Sequence, residues 1–242
     1  MKCFIVRILC FIYSISIING QETIIDFTNV SLDTTTAKIL LDSSKKLMQL
    51  RKWNDAFIVS SKSKYIYSQL YGDSSLQVAD VWHRIGNIQL SSKEYEKAID
   101  SYTIGIRIRE NKLGRDHIKV ANIYNNLGMA YDRIEDYKRA IEYHKVALTI
   151  RIKLLTENHD DVASSYFSLS YCYGENGQVK EAIDCAEKSL KIKLNSQKRD
   201  EIDIADSYER LGNAYADYQK SAYYHRLCLL TRIRLLGDKD PD

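Results

Sequence analysis

The 242-residue chain has one proline and ten glycines. That scarcity excludes collagen-like and Pro/Gly-rich disordered architectures, and beside 28% charged residues it predicts a nearly all-helical protein. Charge of one sign is also missing. The formal net charge is +3, with Lys/Arg and Asp/Glu interleaved throughout. No basic stripe is present to neutralise a run of phosphates, so nucleic acid is not an expected partner. The 18 tyrosines sit mostly at recurring positions suited to a core, not to base stacking. The five cysteines include no CxxC pair and no Cys/His ligand spacing. Cys172, Cys185 and Cys228 fall where sister segments carry small or apolar residues, which predicts buried free thiols; a Cys172–Cys185 disulfide is the alternative. HExxH, GxSxG and glycine-rich phosphate loops are absent, and Asp160-Asp161 reads as a helix-capping pair. No catalytic residue, metal site, cofactor or small-molecule substrate is expected.

What is present is a period. Ala37, Ala79, Ala121, Ala163 and Ala205 recur every 42 residues. In register with them run Trp82/Tyr124/Tyr166/Tyr208, Ile85/Leu127/Leu169/Leu211, Gly86/Gly128/Ser170/Gly212 and Ala56/Ala98/Ala140/Ala182. A fixed period of this length is the mark of a solenoid, whose units bury their apolar faces against one another and work by presenting a surface. Five units follow, at 37–78, 79–120, 121–162, 163–204 and 205–242, the last shortened by three residues between Tyr215 and His225.

Residues 1–20 differ from the rest. Lys2 and Arg7 precede an uncharged apolar run that Asn19-Gly20 closes, the form of a secretory signal peptide; an apolar helix packed on the first repeat is the alternative. Residues 21–36 read as a linker with one sequon, Asn29-Val30-Ser31. The leader points to export, while cysteines without obvious mates point to the cytoplasm.

The unit 121–162 shows how one repeat folds. Ile123, Tyr124, Leu127, Ala130 and Tyr131 recur at helical spacing. A polar stretch at 133–136 follows, and a second, longer apolar period runs from Tyr137 to about Leu155. Each unit is therefore expected to be a helical hairpin in which small residues, Gly128, Ala140 and Ala147, let the helices approach. Leucine at Gly128 should overpack this contact, while alanine there should be tolerated, glycine being a poor helix former. The first unit departs most, with Ser44 and Lys46 at positions expected to pack.

The segments NNLGMAY (125–131), YKRAIEYHKVAL (137–148), IRIKLL (150–155) and LGRDHIKVA (113–121) resemble the tetratricopeptide repeat, in its 42-residue, kinesin light chain-like form. The resemblance covers 37–242 and implies an all-α, right-handed superhelical solenoid. It also implies a concave groove lined by the first helix of each hairpin, where an extended peptide or partner protein would bind. Carried onto this sequence, groove residues include Lys45; His83 and Asn87; Asn122, Asn125, Asn126, Met129 and Arg133; Phe167 and Tyr171; and Asp206, Glu209 and Asn213. The groove would begin basic, pass through amide and aromatic groups, and end acidic. Asn125 and Asn126 would pair with peptide backbone without contributing to stability. The family's carboxylate clamp is not reproduced, because His83, Ser164 and Ser168 stand where cations belong. The other histidines are expected in structural roles, His117 and His159 before first helices and His144 and His225 in second helices. Two further readings are a kinesin light chain-like cargo adaptor and a repeat appendage or fragment of a larger enzyme or signalling protein. Leu227, Leu229, Leu230, Ile233 and Leu235 in the last hairpin also suggest self-association through that end.

Overall fold

The computed structural model describes residues 13–18, 21–26, 31–197 and 200–237. Ten helices among them form five hairpins: α1 (Thr34–Gln49) with α2 (Trp53–Tyr71), α3 (Leu76–Ser91) with α4 (Tyr95–Leu113), α5 (Ile118–Arg133) with α6 (Tyr137–Leu154), α7 (Asp160–Glu175) with α8 (Val179–Asn195), and α9 (Glu201–Ala214) with α10 (Tyr218–Gly237). The repeats make an all-α solenoid with the hairpin boundaries that the 42-residue period implies. By contact the chain divides into two compact units, Met1–Lys112 and Leu113–Asp242.

Helix starts are set by side-chain caps. The carboxylates of Asp33, Asp136 and Asp200 accept backbone N–H bonds at the starts of α1, α6 and α9, and Ser75 does so at α3. His117 and His159 cap α5 and α7, each ring Nδ1 accepting the N–H two residues on at 3.0 Å. Asp160 and Asp161 occupy the first turn of α7, where negative charge suits the helix dipole, with His159 as the cap.

The turn inside each hairpin repeats one geometry. Arg51, Lys93, Glu135 and Gly177 stand 42 residues apart, with φ of 57°, 67°, 61° and 78°. Each follows a first helix, and the next N–H bonds back across the turn: Lys52 to Leu47 O, Glu94 to Gln89 O, Asp136 to Tyr131 O and Gln178 to Tyr173 O, at 2.8–3.0 Å. This is the Schellman helix stop, in which glycine is the unstrained residue at the left-handed position. Glycine stands there in the fourth repeat alone.

Between the paired helices, volume is exchanged position by position. The rings of Tyr102, His144 and His225 lie against Gly86, Gly128 and Gly212, where an added Cβ would sit 2.4–2.8 Å from the nearest ring atom. Where Ser170 replaces the glycine, the ring's place is taken by buried Ala186. In the first repeat the pair is Ser44 and Ser60, both fully buried, with Ser60 Oγ donating to Ser44 Oγ at 2.8 Å. Ser44 is thus a packing residue, contrary to the sequence expectation, because the two hydroxyls satisfy each other. Alanine at Gly128 is likewise not accommodated, since the His144 ring occupies the space.

In the segment expected to be leader and linker, Tyr13–Ile18 pairs antiparallel with Gln21–Asp26, Ile18 opposite Gln21. Asn19-Gly20 falls between the strands, a pair favoured between antiparallel strands, which the signal-peptide reading passed over. The rest of the expected leader, the sequon's Asn29 and the 239–242 tail lie outside the described residues. No described helix is long and apolar enough to cross a membrane.

Candidate protein-interaction site

Four of the sequence-predicted groove residues converge in the unit Leu113–Asp242. Met129 and Arg133 at the end of α5 meet Phe167 and Tyr171 of α7 around an open cleft of about 350 Å³, which Asp132, His144, Ser168 and Cys172 complete. The aromatic rings are each held under a cation. Lys193 Nζ lies 4.4 Å from the Phe167 centroid, and the Arg210 guanidinium lies 4.6 Å from that of Tyr171. Met129 adds a polarisable, adaptable wall. Burial raises the Asp132 carboxyl above its usual range, with Arg133 opposing the shift. Desolvation pushes the Cys172 thiol up to about 12, so it is protonated and non-nucleophilic at neutral pH. Cys172, Cys185 and Cys228 are free and buried. The cleft thus offers apolar and aromatic contact with charge at its rim.

Other predicted groove residues are engaged within the protein. Asn125 Oδ1 lies 3.2 Å from Nδ1 of His144, which is 1% exposed. Burial, aided by the Arg151 charge, lowers the His144 pKa to about 4, so the ring is neutral at pH 7. Nδ1 then carries the hydrogen that Asn125 accepts, which ties this amide to the core and corrects the expectation that it is dispensable for stability. Asn122 Oδ1 accepts from Arg151 Nη2 at 2.9 Å, and Asn87 Oδ1 accepts from the Tyr102 hydroxyl at 2.8 Å. The expected acidic end is partly neutralised, because Arg232 pairs with Asp206 and Glu209 at 3.1 and 2.6 Å. Lys45 and Asn213 are exposed, Asn126 is half-buried on α5, and His83 lies beside the Tyr102 ring, 6.1 Å between centroids.

The residues that sequence reasoning missed form a ladder. Arg109, Arg151, Lys193 and Arg232 occupy one repeat position on the second helices, allowing for the deletion. Arg109 and Arg151 are 3% and 6% exposed. Arg109 pairs with Asp80 at 2.6 Å. Arg151 joins three segments, Nη2 to Asn122 and Nη1 to Asp161 O at 3.0 Å and Ser165 Oγ at 2.7 Å. Lys193 reaches Asp203 O and Ser207 Oγ, both at 3.0 Å. The signal was the cation recurring every 42 residues in the second-helix tail, which the apolar pattern around it concealed.

Two tetratricopeptide repeat models match the sequence, one at 106–153 and the other at 79–112 and 163–196. No curated protein matches it. Among solved structures, BtubC (BKLC) from P. vanneervenii is similar, at TM-score 0.74 and 19% identity over 89% of this chain and 95% of that one. The nearly identical TPR-like repeats assigned to a kinesin light chain of Podosopora anserina give TM-score 0.69 and 18% identity, over 84% and 97%. RapI in its apo form gives 0.67 and 16%, over 84% and 65%. Identities this low speak to fold alone. Hairpins with one internal geometry, close-packed at recurring small residues and matched by the repeat models, mark a non-catalytic type of scaffold through which proteins meet one another: the chain is a tetratricopeptide repeat protein.

Proposed function

We propose that the unit Leu113–Asp242 binds an extended peptide of a partner protein across the first helices α5 and α7, anchored in the cleft of Met129, Arg133, Phe167 and Tyr171. The observation that supports this reading is the convergence of those four side chains, from two repeats, on one open space of about 350 Å³. An apolar side chain of the peptide would fill the space between the rings, and Asp132 and Arg133 at the rim would set the charge of its neighbours. Peptides selected from a random library on the full chain provide the test. Phe167→Ala and Met129→Ala should each weaken the selected binders about tenfold, the usual cost of truncating an anchor, with helical signal unchanged. Binders indifferent to both substitutions would refute the cleft. The self-association expected at the last hairpin finds apolar support in exposed Leu229, Leu230 and Ile233.

A further inference from the structure

The second helices α6 and α8 show what covers their outward apolar residues. Leu148 and Ile152 of α6 pack with Val162, Ala163 and Tyr166 of the following first helix, α7. Leu190 of α8, the repeat equivalent of Leu148, is 8% exposed in a cluster with Ile204 and Leu211 of α9. One repeat further, the equivalents of Leu148 and Ile152 are Leu229 and Ile233 of α10. These are 59% and 54% exposed. The repeat register therefore specifies the shape that fits α10: an amphipathic helix crossing it as α9 crosses α8.

Charge selects among such helices. Over Tyr218–Gly237, α10 carries Lys220, Arg226, Arg232 and Arg234 and no carboxylate. The helix that covers α8 is acidic, with Glu201, Asp203, Asp206 and Glu209 against Arg210 alone. Lys193 of α8 reaches forward to the start of that helix, whereas Arg232, its equivalent, reaches back to its own hairpin and keeps a half-exposed side chain. A second copy is a poor occupant. Its α10 would bring like charge, and its α1 carries Lys38, Lys45 and Lys46 against Asp42. We propose that the Leu229–Ile233 face of α10 docks an acidic amphipathic helix of another polypeptide, with apolar residues spaced as in α9 and carboxylates in its first turn.

The probe is a synthetic peptide of residues 200–215, stapled on its solvent face to hold it helical, labelled, and titrated into the full 242-residue chain by fluorescence anisotropy. Saturable binding is expected. Leu229→Glu and Ile233→Glu should each weaken it at least about tenfold without changing the circular dichroism, since both side chains are exposed. A peptide with Gln and Asn in place of Glu201 and Asp203 should bind several-fold more weakly, with a flatter salt dependence. The proposal is overturned if the peptide does not bind, if Leu229→Glu leaves binding unchanged, or if the neutralised peptide binds as tightly. It is also overturned if sedimentation reveals a dimer that Leu229→Glu dissolves, because the occupant is then a second copy. Phe167→Ala should have no effect on this peptide; were it to abolish binding, the peptide would sit in the cleft and the docking surface would fall while the cleft reading stood.

Discussion

Gly128→Ala sets two effects of similar size against each other. Alanine gains about 1 kcal/mol over glycine in a helix interior. Its Cβ, however, would stand 2.8–2.9 Å from three atoms of the His144 ring. Ordinary carbon contacts lie near 3.5–4.0 Å, so the ring would have to retreat by roughly 0.7 Å or more. It has little room to do so, being 1% exposed and held by Asn125. Overpacking of this kind costs about 1–3 kcal/mol, which leaves a net loss of about 1 kcal/mol. Gly174→Ala is the control, because its Cβ would meet only the Ala182 Cβ at 3.9 Å and the same propensity gain should stabilise by up to about 1 kcal/mol. The fourth repeat supplies the compensated form. Gly128→Ser with His144→Ala recreates the Ser170/Ala186 pair and should be more stable than the sum of its single variants by at least about 1 kcal/mol. Urea midpoints followed by ellipticity at 222 nm measure all of these at constant slope. A Gly128→Ala protein as stable as the parent, or strict additivity in the double variant, would refute the ring-on-glycine account.

Glu135→Gly places glycine at the left-handed turn position that Gly177 fills in the next repeat, and should raise stability by about 1 kcal/mol by relieving φ of 61°; no gain in melting temperature would count against the strain. His144 is neutral in the fold with a pKa of about 4 against 6.5 when unfolded, so the unfolded chain binds more protons between those values. Stability is therefore fully present above about pH 6.5 and declines toward pH 4, by up to about 3 kcal/mol from this group. His144→Tyr, which copies Tyr102, should flatten that slope in paired pH titrations of the urea midpoint. Arg151→Lys should keep the forward bonds to Asp161 O and Ser165 that Lys193 makes at its own site but lose Asn122, costing about 1 kcal/mol, whereas Arg151→Ala should cost about 3 kcal/mol or more. Equal losses would mean the ladder does not join repeats. Asn125→Ala removes the acceptor of a buried ring N–H and should destabilise by about 1–3 kcal/mol in thermal melts, in contrast to the exposed Asn213→Ala.

The sequence by itself determined the hairpins. Apolar residues at helical spacing, repeated in register with Ala37 through Ala205, leave one arrangement of helices that buries every apolar face, so the fold class and unit boundaries were legible from pattern alone. It also determined which residues share the first-helix face, because a 42-residue register fixes facing once one unit is oriented. What it did not determine was which of those residues are available. Asn125, Asn122, Asp206 and Glu209 share that face with Met129 and Phe167, yet the first four are held by His144, Arg151 and Arg232 from the second helices. Those partners are close only after the hairpin closes. Polar pairing between helices depends on distances of about 3 Å that no one-dimensional period encodes, whereas apolar burial depends on little more than which side a residue faces. The same reason explains Ser44 and Gly128: whether a small residue is a gap, a contact or half of a pair is decided by what the opposite helix puts against it, and only the tertiary structure sets Ser60 and the His144 ring there.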